Sequence, residues 1–209
     1  MIDLKNKVIY IHIPKTAGTA VEQYFLDIRG LDVKNRPAMG IFINDKKSDL
    51  ERQNGHCSLE MYESFYFGGK IPEEYKIFTV VRNPISRFWS EYRYRRLPPP
   101  NRFPIHMNLP ASALKFLTEN PVGVLKDLNS HMRSQYKYLE GTSCERVEVI
   151  KFENIGEDFK RLQLEWDLPV LPLPKLNSSK KRSLPKNFKF YEDWVREYYE
   201  EDFLRFGYD

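Results

Sequence analysis

Two short runs of β-branched and aromatic residues, each stopped by a proline and each followed by helical periodicity, constrain this chain more than any other feature. The first run, Lys7-Val8-Ile9-Tyr10-Ile11-His12-Ile13, halts at Pro14, and beyond Gly18 the residues Val21, Tyr24, Phe25 and Ile28 recur at helical spacing. A nearly continuous apolar run of this length fits a strand buried on both faces. The spacing therefore predicts a strand over 7–13 and a helix from near Thr19 to Gly30. The second run, Tyr75-Lys76-Ile77-Phe78-Thr79-Val80-Val81, meets Pro84, a residue suited to the first turn of a helix. Ile85, Phe88, Trp89 and Tyr92 then share one face to about Arg96. A third buried strand is predicted over Arg146-Val147-Glu148-Val149-Ile150-Lys151-Phe152, with a helix from about Ile155 to Trp166. Short helical patterning marks 122–138, and Val195, Tyr199, Phe203 and Phe206 share a face on one last helix. Strands alternating with helices predict an α/β fold: a mainly parallel sheet flanked by helices, with its ligand site beyond the carboxyl ends of the strands.

The chain's 209 residues, 41% hydrophobic and 30% charged, suffice for one domain spanning 1–209 with a full core, and exclude disorder for most of it. No window approaches the ~18 apolar residues of a membrane span, and Met1–Lys7 lacks the apolar core of a signal peptide, so an unexported, cytoplasmic chain without membrane insertion is expected. Cys57 and Cys144 are the 2 cysteines, too few for a disulfide framework or a paired-cysteine metal site. A net charge of +4 is too small to argue for duplex nucleic acid but suits a local anionic pocket.

Pro14-Lys15-Thr16-Ala17-Gly18-Thr19-Ala20 has the makings of such a pocket. Small residues let the backbone turn tightly into a helix whose first N–H groups and positive dipole end face the turn. Lys15 adds a charge, Thr16 and Thr19 add hydroxyls, and Gly18 allows close backbone approach. The plain alternative is a strand-to-helix turn capped by threonine. In Arg82-Asn83-Pro84-Ile85-Ser86-Arg87-Phe88-Trp89-Ser90-Glu91-Tyr92, Arg82 leaves the strand end while Ser86 and Ser90 stand one helical turn apart, so guanidinium and hydroxyls can surround a second phosphate. Arg87 and Glu91 are also read as an i,i+4 surface pair.

Together, Ile11-His12-Ile13-Pro14-Lys15-Thr16-Ala17-Gly18-Thr19 and the stretch Val80 to Tyr92 resemble the sulfotransferases that use 3′-phosphoadenosine 5′-phosphosulfate, of the carbohydrate type. The resemblance implies a fold like that of the P-loop nucleoside triphosphatases. It places the 5′-phosphosulfate on Lys15, Thr16, Ala17, Gly18 and Thr19, and the 3′-phosphate on Arg82 and Ser90, with no metal. Gly55-His56 resembles the family's catalytic histidine position, which makes His56 the expected base, with Glu60 as its competitor. Weaker likeness extends to Ser130–Gln135 and to Phe152-Glu153-Asn154.

Sulfuryl transfer needs in-line attack by an acceptor hydroxyl, a base for its proton and positive charge on the leaving phosphate oxygen, which Lys15 can supply. The expected acceptor is a saccharide or related hydroxyl-bearing small molecule. His131, Arg133 and Gln135 alternate, so in an extended segment they would face that acceptor together. His12, read as part of the buried strand, and His106 receive no catalytic task. The basic stretch 177–182 is read as a loop that could fold over the nucleotide. Two other readings stand beside this one. A P-loop phosphotransferase would need the Gly-Lys-Thr ending that this loop lacks. A non-enzymatic basic module for acidic polymers would use Lys180, Lys181 and Arg182 as its footprint.

Overall fold

The computed structural model describes residues 1–32, 34, 56–95, 131–174 and 188–209. The Pro-rich stretch 97–104, His106, Gly55, most of the patterned segment 122–138 and the basic stretch 177–182 lie outside them. By contacts the chain divides into two compact units, Met1–Val81 with Gln135–Leu176, and Arg82–Ser134 with Asn177–Asp209.

Among the described residues, the first unit is built on one four-stranded sheet in the order β1-β2-β3-β4, with β1 at Ile2–Asp3, β2 at Val8–Ile11, β3 at Lys76–Val81 and β4 at Val147–Lys151. β2 pairs parallel with β3 through Ile9↔Ile77 and Ile11↔Thr79, and β3 pairs parallel with β4 through Thr79↔Val149 and Val81↔Lys151. The two-residue β1 runs antiparallel to β2. All four β2 residues are fully buried, as a continuous apolar run requires. One face of the sheet, Val8, Tyr10, Phe78, Val80 and Ile150, packs with Val21, Tyr24 and Phe25 of α1 (Gly18–Ile28) and with Phe159 and Leu162 of a later helix, Ile155–Glu165. Between these elements lie α2 (Leu59–Met61), which runs into a π-helical turn at Tyr62–Tyr66, and α3 (Pro84–Arg95). The helix Ile155–Glu165 is α4, and α5 (Phe188–Tyr198) and α6 (Glu200–Phe206) end the chain.

Two expectations change. The third strand is not buried: among the described residues β4 is the last strand in the sheet order and only its Ile150 is fully covered, while Val149 is 38% exposed and Glu148 pairs with Arg161. The single closing helix is two. The backbone departs from helical geometry at Tyr199, whose hydroxyl donates to the Met132 carbonyl at 2.6 Å, and Glu200, Glu201 and Asp202 then occupy the first turn of α6, where its dipole favours acids. These helices form the second unit with α3, through Phe88, Trp89, Met132, Trp194, Val195, Tyr199 and Phe203. No helix among the described residues is long and apolar enough to cross a membrane.

Candidate active site

The chain leaves β2 at Ile11 and turns sharply before α1. Lys15 and Ala17 both adopt left-handed backbone, with φ of 69° and 74°, and Thr16 between them does not. Alternation of this kind can turn successive N–H groups toward one side, a backbone shape that suits an anion. Helix α1 begins directly after Ala17, and geometry denies its first N–H groups an intrahelical partner. No acidic residue stands in that first turn to compete for its positive end. The capping alternative fails, because the N-cap is Ala17 and the buried Thr16 hydroxyl instead donates to the Ile13 carbonyl at 2.8 Å. Lys15, Ala17 and Thr19 are half-buried, and Gly18 is buried.

Gly18 is obligatory for a reason other than its own dihedral angles. A Cβ there would lie 1.9 Å from Nε2 and 2.0 Å from Cδ2 of His12, so the imidazole occupies the space that any other residue would need. His12 stands just past the end of β2 rather than inside the strand. Its Nδ1 is 2.6 Å from the Glu22 carboxylate, one helical turn after Gly18 on the buried face of α1. Its carbonyl accepts a hydrogen bond from Nδ1 of His56 at 3.0 Å, and the two rings meet edge-on with centres 4.5 Å apart. His56 is thereby gathered to the loop. Glu60, the competing base, is exposed on α2.

In the second unit, Arg82 and Ser90 are both half-buried. The Asn83 side chain accepts from the Ser86 N–H at 3.2 Å and caps α3, with Pro84 at the first helical position. The expected surface pair is not at the surface: Arg87 and Glu91 are each 3% exposed. Arg87 donates to the His131 carbonyl at 2.9 Å and lies over the Tyr199 ring, while Glu91 holds Nδ1 of His131 at 2.9 Å. His131, Arg133 and Gln135 do not share an extended segment. His131 is helical, Arg133 lies in a bend, and Gln135 has helical backbone at the start of a short turn. Gln135 is moreover fully buried in the first unit.

A model of the sulfotransferase family matches residues 1–209, the whole chain. The chain belongs to the sulfotransferase family. Searches of curated proteins and of solved structures returned no match. Membership fixes the reaction class as sulfuryl transfer, in place of the phosphotransferase and polymer-binding readings. Among its described residues this sulfotransferase has no group of three or more His, Cys, Asp or Glu arranged to hold a metal ion. The pair His12–Glu22 escaped the reading of its sequence. The signal was a carboxylate on the apolar face of α1, where only a buried partner would retain it.

Proposed function

We propose that this sulfotransferase moves a sulfuryl group from 3′-phosphoadenosine 5′-phosphosulfate to a hydroxyl of a saccharide or related small molecule by in-line displacement. The observation that carries the reading is the joint dependence of loop and base on His12, whose ring fills the space over Gly18 and whose carbonyl orients His56. The donor fits the loop's chemistry: Lys15, Thr16, Ala17, Gly18 and Thr19 offer N–H groups, hydroxyls and an ammonium to an anion, and no carboxylate opposes it in the first turn of α1. When bound, the donor supplies the sulfuryl group and a phosphate leaving oxygen.

Lys15 neutralises charge developing on that oxygen, a form of electrostatic stabilisation whose loss typically costs about 10²–10³ in rate. Arg82 and Ser90 hold the 3′-phosphate. His56 removes the acceptor proton through Nε2, since a carbonyl can only accept and so commits Nδ1 to donating. His131 and Arg133 serve the acceptor.

Calorimetric titration with 3′-phosphoadenosine 5′-phosphate against adenosine 5′-phosphate tests the reading. The 3′-phosphorylated nucleotide should bind more tightly, and Arg82→Ala should erase the difference, a charge-assisted contact contributing about 1.5–3 kcal/mol. Equal binding of both nucleotides to the unaltered chain would exclude the 3′-phosphate site.

A further inference from the structure

Glu22 is buried in α1, as are Val21, Phe25 and Leu26, at a position where an apolar side chain would serve the core as well. Burying a carboxylate costs free energy unless it is paired, and replacing a buried pair by apolar residues often loses no stability. The charge at this position therefore asks for a role other than packing. Its partner is close: Nδ1 of His12 lies 2.6 Å from Glu22 Oε1 and donates to it, since a carboxylate only accepts. The pairing of β2 with β3 ends at Ile11, so the His12 peptide, one residue beyond, depends on its side chain for its orientation. That side chain is confined further by Tyr10, stacked on it with ring centres 5.7 Å apart, and by Gly18. His56 meets the same residue twice, at its carbonyl at 3.0 Å and edge-on at its ring.

We propose that Glu22 is a positioning residue of the reaction, its carboxylate locking the His12 imidazole so that the His12 carbonyl and ring fix the Nδ1–H tautomer and the orientation of His56. Glu22 touches neither donor nor acceptor in this account. It acts through His12, and its charge is retained in the core because an apolar residue there would leave Nδ1 of His12 without its acceptor and the ring free to turn. The inference rests on reading His56 as the base, for without that reading the orientation of His56 has no bearing on transfer.

The test reads the tautomers of isotope-labelled histidine nitrogens by NMR, with His56→Ala identifying the signals of His56 among those of the 4 histidines. In the unaltered chain His56 should carry its proton on Nδ1. Glu22→Leu should mix the two His56 tautomers and lower kcat about 10- to 100-fold, the scale of a misplaced catalytic group, with affinity for 3′-phosphoadenosine 5′-phosphate within a factor of about two. Glu22→Gln, whose amide oxygen still accepts from Nδ1 of His12, should restore the single tautomer and most of the rate. In a His56→Ala background Glu22→Leu should cost no further rate, whereas a merely structural loss would add. Should Glu22→Leu not fold, Glu22→Asp, one methylene shorter, replaces it in every measurement with the same expected direction. An unchanged His56 tautomer, or a rate loss that persists without His56, overturns the proposal. So does full turnover in Glu22→Leu where His56→Ala abolishes it. If His56→Ala transfers normally while Glu22→Leu still mixes the tautomers, the base reading fails and the hold of Glu22 on His56 stands.

Discussion

The His56 imidazole donates its Nδ1 hydrogen to the main-chain carbonyl of His12, and the His12 ring lies against Gly18 at the start of α1. One residue therefore serves two others. Its side chain sets how closely helix α1 can approach the end of β2, and its carbonyl selects the His56 tautomer whose lone pair is on Nε2. Glu22 holds the His12 ring from its other nitrogen at 2.6 Å, so the ring cannot rotate without breaking a buried pair. The placement of His56 and the approach of α1 to the end of β2 are consequences of the same packing.

If His56 is the base, His56→Ala lowers transfer by about 10²–10⁴-fold, the usual contribution of general acid–base catalysis, while nucleotide affinity stays within a factor of about two. The unaltered enzyme gains rate as the pH rises and the ring loses its second proton, because only neutral imidazole can accept the acceptor's proton. The variant should lose that dependence. A transfer assay over a pH series decides it, and a rate loss seen in Glu60→Ala instead moves the assignment to the carboxylate.

Lys15, whose charge the proposed reaction uses, has a backbone conformation that its side chain disfavours, φ being 69°. Left-handed backbone costs a residue with a Cβ roughly 1–2 kcal/mol, whereas glycine adopts it readily. Lys15→Gly should therefore be more stable than Lys15→Ala by about 1 kcal/mol, although both lose the ammonium. Both should lose transfer. Melting curves read the first expectation and turnover the second, and near-native turnover in either variant removes the Lys15 charge from the mechanism.

The first strand, loop and helix were legible because their signals are local: a buried run, a proline stop, small residues and a 3.6-residue period. Observed α1 starts at Gly18 against an expected start near Thr19, and β3 runs from Lys76 where Tyr75 was expected. What was not legible depends on neighbours distant in sequence. Nothing in Val147–Lys151 says that β4 stands at the end of the sheet order among the described residues. Nothing in Arg87 and Glu91 says that His131 will bury both, so an i,i+4 pair on a helix reads as solvated. The alternation of His131, Arg133 and Gln135 has meaning only in extended backbone, and Gln135 adopts φ −66° and ψ −40°. His12 and Glu22 read separately as a strand residue and a helix charge, and only the closeness of α1 to β2 makes them a pair.

Glu63, in the π-helical turn, links the first unit's early and late segments and gives the last prediction. Its carboxylate accepts from the Thr142 N–H at 3.0 Å, the Thr142 hydroxyl at 2.9 Å and the Ser143 N–H at 2.7 Å. Burial pushes its pKa up, but these hydrogen bonds outweigh burial and hold the carboxyl below the ordinary glutamate value. A group whose folded-state pKa is depressed stabilises the fold fully above its unfolded pKa, about 4.3 for glutamate, and that contribution drains away as pH falls through the folded value. Glu63→Gln keeps the shape, yet it trades an acceptor oxygen for an NH₂ that meets donors from Thr142 or Ser143. It should cost about 1–3 kcal/mol at neutral pH, the penalty of hydrogen bonds to a charged group lost or left unmade. Toward the acid end of the carboxylate range the gap should close, because the unaltered chain then protonates Glu63 and loses the same interactions. Denaturant unfolding of both proteins at a series of pH values measures the gap directly. A stability difference that stays constant on acidification would mean that the Glu63 charge contributes nothing and that only its shape matters.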